Sequence, residues 1–279
     1  MPYRLLAWVA VTQSVLGVWR QRDALRLLVR RDLTVKYQGS VLGYLWSMLE
    51  PLAVAFTYWF VFGVLYQTRP GPNGEPYILF LVSGLFAWIW VNSVLGEATV
   101  ALSYQHRMIT TINVPRELFP IGKVLAKFIE YVASLPVLVI VALIFGAKLG
   151  VNLLLLPVAV ALQMILLIGL AMMLSAFNVM LRDTERFMRL LQRILMYALP
   201  IIYPLSKLTE SDAVPQWVKV VYQLNPLVGI LELHHAAWSA QAGLPSFGLV
   251  LTSVIGSIAI LLIGWVVFRR LEPAVLKEL

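Results

Sequence analysis

The sequence predicts an all-α integral membrane protein with six transmembrane helices. Three observations predict this fold class: 60% of the 279 residues are hydrophobic, only 13% are charged, and long apolar runs follow one another along the chain. The mean hydropathy of +0.83 agrees. In a soluble protein roughly a quarter of the residues are charged, and the core of a soluble protein cannot bury this much apolar surface. We therefore expect one membrane domain and no soluble domain of ordinary size.

The first apolar run, residues 42–66, directly follows a basic stretch. Arg30 and Lys36 precede it, and at roughly 1.5 Å per residue the run is long enough to cross a hydrocarbon core of about 30 Å. Positive charge beside a span favours the cytoplasmic side, so the N-terminus is expected inside. A short apolar piece at residues 5–16 contains Gln13 and lacks a cleavage signature. We interpret it as retained and not as a signal peptide.

Five further apolar runs complete the predicted membrane domain. Turn residues separate them, as in the stretch 69–74, which is rich in proline and glycine. The fifth run is less regular, because Pro200 and Pro204 interrupt its end, and a re-entrant segment is an alternative to a full span there. The five runs occupy residues 77–103, 120–145, 153–181, 188–205 and 248–268.

A long segment, residues 206–247, separates the fifth and sixth runs. It contains two short apolar pieces, 217–224 and 227–238, on either side of Asn225-Pro226. The residue before a proline avoids the helical region, and proline starts a helix well. The sequence therefore predicts two short helices with a break between them.

Lysine and arginine are distributed unequally between the two predicted sides of the membrane. Of the 22 lysines and arginines, only Arg69, Lys148, Lys207 and Lys219 fall outside, and the other eighteen fall inside. This asymmetry favours six spans with both termini in the cytoplasm, whereas removal of the fifth span would place residues 269–279 outside. The net charge of +8 then reflects membrane orientation. A nucleic-acid partner is not predicted, because the cations flank apolar spans.

The motifs of catalysis and of metal or nucleotide binding are absent from the sequence. The chain has no G-x-x-x-x-G-K-[ST] loop, no H-E-x-x-H or G-x-S-x-G motif and no cysteine. His234 and His235 are adjacent, so on a helix they point about 100° apart and do not form the two-ligand face of residues i and i+4. We predict no catalytic, cofactor or metal site on this chain and a hydrogen-bonding or interfacial role for the two histidines.

Four ionisable residues fall within or near the apolar runs. Charge at bilayer depth costs several kcal/mol unless it is paired or hydrated, so each is a functional candidate. Lys127 and Glu130 are three residues apart and can form an ion pair. Glu50 and Glu97 are candidates for hydration near the inner surface.

Six short motifs resemble the membrane subunits of bacterial type-2 ABC exporters for polysaccharides, such as O-antigen, teichoic acid and cell-wall galactan exporters. The resemblance extends over about residues 30–270, and its motifs occur in the expected order around the apolar runs. They are GSVLGYLWSMLEPL (39–52), VFG (61–63), NVPRELFP (113–120), LRD (181–183), LPIIY (199–203) and LNPLVGILE (224–232).

The resemblance implies a permease that works as a homodimer with two copies of a separate ABC ATPase subunit, which binds ATP and Mg. The pair of permeases would move a lipid-linked polysaccharide from the cytoplasm across the plasma membrane, in contact with membrane lipids. The resemblance also implies a cytoplasmic segment, 1–40, with an amphipathic interface helix, a transmembrane domain, 41–270, and a cytoplasmic tail, 271–279. The basic stripe of that helix would consist of Arg22, Arg26 and Arg30.

By the same resemblance, the loop after the second span is a coupling helix that docks on the ATPase. Apolar side chains at positions 108, 109 and 112 would supply the anchor, and His106 and Arg107 the polar rim. A generic basic loop is the alternative. The predicted coupling residues are His106, Arg107, Met108, Ile109, Thr110, Thr111 and Ile112.

The resemblance also implies that the two short helices of residues 206–247 form a re-entrant gate. The gate residues would be Trp217, Tyr222, Asn225, Pro226, His234 and His235. Aromatic faces stack on sugar rings, and the expected channel-lining aromatics are Trp59, Phe62, Tyr66, Phe86 and Trp90. Lipid-interface belts and ordinary packing are alternatives for these aromatics.

Two other functions are open at this point. The first is a type-2 exporter of lipids or drugs. Glycosyltransferase genes next to the gene of this protein would favour the polysaccharide exporter instead. The second is an integral-membrane enzyme acting on glycans or lipids. That function requires converging acids or a nucleophile in one pocket, and the sequence gives no such pattern.

Overall fold

The fold is helical throughout the residues that a computed structural model describes, which are 21–66, 76–111, 114–145, 147, 150–238 and 243–278. No β-strand occurs in these ranges. The helices are α1 (Arg22–Tyr37), α2 (Trp46–Tyr58, continued by a π-helix at Trp59–Leu65), α3 (Tyr77–Thr99), α4 (His106–Thr111), α5 (Leu118–Ile144), α6 (Leu155–Met180), α7 (Asp183–Ala198), α8 (Ser206–Thr209), α9 (Gln216–Leu224), α10 (Pro226–Trp238) and α11 (Phe247–Glu278).

Five helical segments in these ranges are long and apolar enough to cross a membrane. They are Trp46–Leu65, Tyr77–Thr99, Leu118–Ile144, Val151–Met180 and Phe247–Glu278. The predicted fifth run, 188–205, does not form one long helix. Instead, α7 ends at Ala198 because Leu199, the residue before Pro200, adopts an extended conformation. The structure thus confirms the helical fold and contains five helices of membrane-spanning length among the described residues, whereas the predicted count of six rests on the shorter, amphipathic α7.

The centre of the fold is α3. Its most apolar stretch is 83% buried, whereas that of α2 is only 11% buried. A helix that is apolar on all sides is stabilised when other helices surround it, and α5, α6 and α10 pack around α3.

Helices α6 and α11 cross at a contact between two glycines. A Cβ atom built on Gly264 would lie 2.0 Å from the carbonyl oxygen of Gly169, and one built on Gly169 would lie 2.6 Å from the carbonyl oxygen of Ile260. Only residues without a side chain allow two membrane helices to approach so closely. This crossing fixes the position of α11 against the core.

A second apolar cluster lies at one end of the molecule. Ile109 of α4, Phe119 of α5, and Phe268 and Val275 of α11 form its centre, and Leu28 of α1 packs against it. The last turns of α11 therefore lie at the same end as α1. Helix α11 continues through residue 270 without interruption to Glu278.

Candidate translocation and coupling sites

The predicted coupling residues lie on the short helix α4 or next to it. Ile109 is 4% exposed and belongs to the second apolar cluster, so its side chain holds α4 against the membrane domain. Met108 accepts a hydrogen bond at its sulfur from Arg31, at 3.1 Å. His106 and Tyr104 are exposed, Tyr104 by 76%. The side chains of Arg107, Thr110 and Thr111 and the whole of Ile112 lie outside the described residues.

This placement separates the apolar part of α4 from its accessible part. The sequence-based prediction used Ile109 as part of an apolar anchor for another protein, but that side chain is packed inside its own chain. The surface available to a partner next to α4 contains Tyr104 and His106. The coupling role of the 106–112 loop remains a prediction.

An ion-pair network joins α1, α3 and α5 at the same end of the molecule. Lys127, whose side chain is 3% exposed, lies 2.5 Å from Glu97 and 3.2 Å from Glu130. Glu130 also pairs with Lys36 at 2.8 Å. The predicted local pair of Lys127 and Glu130 is confirmed, and Glu97 is paired with Lys127 while its side chain is 43% exposed. Because every buried charge here has an opposite charge beside it, the network fixes α1 to α3 and α5.

Further ion pairs extend the network along α1. Lys123 lies 2.8 Å from Asp32 and 3.7 Å from Glu97, and the network borders an open cleft of about 350 Å³. Burial alone would lower the pKa of Lys36, but the hydrogen bond and the charge of Glu130 outweigh it and raise that pKa above its usual value. Sequence reasoning missed these pairs because Lys36 and Glu130 are 94 residues apart.

Helix α1 is amphipathic, as the sequence predicted. Arg22, Arg26 and Arg30 are exposed. Val29 and Leu33 are buried against α5, where they contact a small apolar cluster. The basic stripe and the apolar face therefore lie on different sides of the helix. Because this apolar face is covered by α5, and the apolar face of an interface helix lies in lipid, the role of α1 as an interface helix remains a prediction.

The aromatic residues of α2 form a ladder on one face. Tyr58, Phe62 and Tyr66 are stacked in sequence, with ring centroids 5.9 Å apart in both steps. Trp59 belongs to a different face and meets Phe145 edge to face at 6.5 Å. The four-residue spacing of Tyr58, Phe62 and Tyr66 could have identified Tyr58 as the third member, which sequence reasoning left out.

Two of the predicted channel-lining aromatics are core residues of the protomer. Phe86 and Trp90 are each 2% exposed. Trp90 stacks on Tyr131 with a centroid distance of 5.0 Å. Of the two interpretations, ordinary packing and not channel lining fits the buried positions of Phe86 and Trp90.

The predicted break between the two short helices is confirmed. Helix α9 ends at Leu224 and α10 begins at Pro226. Asn225 lies between them in an extended conformation, and its side-chain oxygen accepts a hydrogen bond from the backbone of Leu227 at 3.0 Å. Asparagine is a favoured N-cap and proline a favoured first residue of a helix. Trp217 is exposed, and the Tyr222 hydroxyl lies 3.5 Å from that of Tyr203.

His234 and His235 bind α10 to three neighbouring segments. The Gln163 amide donates to the carbonyl of Ala87, so its oxygen accepts from Nε2 of His234 at 2.8 Å. Nε2 of His235 donates to the carbonyl of Pro200 at 2.9 Å, and its Nδ1 lies 3.0 Å from the Ser83 hydroxyl. The hydrogen-bonding role predicted for the pair is confirmed, and the partners lie on α3, on α6 and after α7.

These features define a polytopic helical membrane protein with an ion-paired end, which carries α1 and α4, and a second short-helix region, α9 and α10. The sequence pattern of the ABC-2 type transporter family matches residues 23–237. The chain belongs to this family, which confirms the resemblance described above.

Relatives cover most of the chain. The O-antigen export system permease protein RfbA of Klebsiella pneumoniae is 27% identical over 253 residues, which is 90% of this chain and 92% of the relative. RfbA of Myxococcus xanthus is 29% identical over 219 residues, 78% of this chain and 81% of the relative. The polysialic acid transport protein KpsM of Escherichia coli is 24% identical over 266 residues, 92% of this chain and 97% of the relative.

Proposed function

We propose that the protein is the permease subunit of an ATP-driven exporter, and that it moves a lipid-linked polysaccharide of the O-antigen, teichoic acid or galactan type out of the cytoplasm. The observation that carries the proposal is the match to the ABC-2 type transporter family, with relatives named as permeases of O-antigen export over up to 90% of the chain. ATP and Mg would bind to a separate ATPase subunit, present in two copies.

The proposed topology has six crossings with both termini in the cytoplasm of a bacterial plasma membrane. Leu28 of α1 and Val275 of α11 pack on one apolar cluster, which supports an even number of crossings between them. The five membrane-length helices need one more crossing, and α7 is the segment that connects the end of α6 to the region of α9 and α10. In this topology α9 and α10 lie on the outer side, as re-entrant helices.

A homodimer would supply the conduit. The described helices of one chain pack around their own side chains and leave little room for a sugar polymer, whereas two chains can line a passage between them. Helix α7 exposes Phe187, Leu190 and Ile194 at helical spacing, and this face is open to a second copy as well as to lipid tails. The Tyr58, Phe62 and Tyr66 ladder on the largely exposed α2 would offer stacking faces to sugar rings along that conduit.

Reconstitution tests this function. The permease would be purified with the ABC ATPase encoded beside its gene and incorporated into vesicles that contain a labelled lipid-linked glycan, a labelled phospholipid and a drug-like dye. We expect ATP-dependent movement of the glycan alone, and none with an ATPase variant that lacks its phosphate-binding lysine. Movement of the phospholipid or dye without the glycan would favour the lipid or drug exporter instead.

A further inference from the structure

The two short helices α9 and α10 differ sharply in how they are held. Eleven of the thirteen residues of α10 are buried, whereas none of the nine residues of α9, all of which the structure describes, is buried. The exposed side chains of α9 include large apolar ones at positions i, i+3, i+4 and i+7, namely Trp217, Val220, Val221 and Leu224.

Helix α10 is fixed by contacts of three kinds. The hydrogen bonds of His234 and His235 reach Gln163, Pro200 and Ser83. The ring of His235 stacks on Phe80 with a centroid distance of 4.0 Å. Backbone contact with α11 is close, since a Cβ atom on Gly229 would lie 2.1 Å from the Ser253 hydroxyl and 2.7 Å from the Leu249 carbonyl oxygen.

Helix α9 has fewer and weaker attachments. Tyr222 packs against the core from a partly buried position, its hydroxyl lies 3.5 Å from that of Tyr203, and the Gln223 carbonyl accepts a hydrogen bond from Thr252 at 3.3 Å. Because α9 leaves its four large apolar side chains out of the core and none of its residues is buried, its detachment from the core breaks fewer contacts than that of α10, which has eleven buried residues.

The junction between the helices is a single non-helical residue. Asn225 has φ −71° and ψ 118°, between the end of α9 and the start of α10. Its side chain caps α10 through Leu227, and the first residue of α10, Pro226, lies against α11, since a Cβ atom on Gly256 would be 3.0 Å from the Cβ of Pro226. The start of α10 is therefore anchored, and a change in the backbone of Asn225 alone would reorient α9.

We propose that α9 is the moving part of the outer gate, that it pivots at Asn225, and that α10 is its fixed base, with His234 and His235 as positioning residues. This inference rests on the proposed function, because it assigns the movement within the gate of that transporter. It divides the segment 216–238, which sequence reasoning treated as one gate, into two parts with different roles.

Distance measurements test the movement without any substrate. The chain contains no cysteine, so spin labels report only from introduced sites. One pair would be Val220→Cys with Ile255→Cys, from α9 to α11, and the matched pair would be Glu232→Cys with Ile255→Cys, from α10 to α11. In the permease–ATPase complex, we expect ATP trapping to shift the first distance by several ångström and to leave the second unchanged. An equal shift of both pairs, or an unchanged first pair, would overturn the proposal.

Disulfide cross-links test the consequence for export. Gln223→Cys with Thr252→Cys would tie α9 to α11, and Pro226→Cys with Gly256→Cys would tie α10 to the same helix. After oxidation we expect the first cross-link to stop glycan export, with recovery after reduction, and the second to leave export close to that of its reduced form. The opposite pattern would overturn the proposal. If neither reduced variant nor the unmodified protein moves glycan, the proposed function fails, while the distance measurements still decide the gate.

Discussion

At the end of the molecule that carries α1 and α4, two buried charges of the described chain have an opposite charge beside them. Glu117, whose side chain is 2% exposed, lies 2.6 Å from Arg269, and Lys127 has carboxylates on two sides. A paired buried charge adds little net stability, but loss of one partner is costly because the other is left uncompensated. Replacement of one member of such a pair should therefore lower the stability of the protein by more than the net contribution of the pair.

Replacement of Arg269 should destabilise the protein through Glu117. Arg269→Met removes the arginine beside a buried carboxylate; because Arg269 is itself 37% exposed, the loss should be smaller than the about 3–5 kcal/mol of a fully buried pair. Intrinsic fluorescence on heating in detergent should show a lower Tm. The neighbouring Arg270 is exposed, so Arg270→Met should leave the Tm nearly unchanged. Recovery of the Tm in Arg269→Met with Glu117→Gln would establish the cause, and equal Tm values for the two single variants would contradict it.

A single methyl group on α3 should disturb the base of the outer gate. A Cβ atom on Gly84 would lie 2.5 Å from Cε1 of His235, a ring held between Phe80 and the Pro200 carbonyl. Gly84→Ala should therefore raise passive dye leak through reconstituted vesicles several-fold. On the same helix, a Cβ on Gly96 would meet only Gln192, at 3.7 Å, so Gly96→Ala is the control. A tight seal in a folded Gly84→Ala variant would remove His235 from the positioning role.

The exposed surface next to α4 predicts where the ATPase binds. Tyr104 is exposed, whereas Ile109 is buried in its own chain. Tyr104→Asp should weaken binding of the ATPase roughly tenfold or more, because interface aromatics typically contribute on the order of 1–4 kcal/mol. Co-purification at graded concentrations measures this effect, and the exposed Val151 at the start of the α6 region provides the control, Val151→Asp. Unchanged ATPase binding in Tyr104→Asp would exclude this surface.

At the scale of elements, helix boundaries could be predicted from the sequence more easily than the contacts between helices could. Asn225-Pro226 predicted the break between α9 and α10 because the preference of each residue acts on its own backbone. The inward position of Ile109 was not predictable, since it depends on Phe268 and Val275, more than 150 residues further along the chain. The predicted fifth span extended beyond the end of α7 because the apolar run of the sequence continues past Pro200. The helix itself ends at Ala198, before this proline.

The crossing of α6 and α11 should tolerate no side chain. In Gly264→Ala the new methyl group meets the backbone of Gly169, which has no rotamer with which to move away, and overpacking costs typically about 1–3 kcal/mol. We expect a lower Tm and aggregation on size-exclusion chromatography. Gly248→Ala, at a position of the same helix where nothing lies within 4 Å, should behave like the unmodified protein. A normal elution profile and Tm for Gly264→Ala would show that the helices can separate here.

For the whole molecule, family and membrane nature were predictable from motifs and composition, whereas the number of crossings was not. The apolar cluster shared by α1 and α11 brings the two ends of the described chain together. This relation depends on tertiary packing, and hydropathy along the chain does not contain it. The orientation of the molecule follows from the lysine and arginine asymmetry only if the count of crossings is known.

Cysteine labelling in intact cells decides that count. Single cysteines at Arg26, Glu185 and Leu276 should react only with a reagent that enters the cytoplasm, and one at Asp212 should react from outside. All four positions lie in described parts of the chain, and the loop at Asp212 is exposed. Labelling of Leu276 from outside, with Arg26 inside, would show an odd number of crossings and reject α7 as a span.

If α7 is the sixth crossing, as proposed, its brevity affects the lipids around the protein. Its 16 residues rise about 24 Å, less than the roughly 30 Å of a hydrocarbon core. A span that is too short is accommodated by local thinning of the bilayer or by shielding from neighbouring protein. Export should therefore be faster in vesicles of short-chain phospholipids than in those of long-chain ones. A membrane thinned beside α7 also shortens the distance that a polar polymer covers between the two aqueous phases.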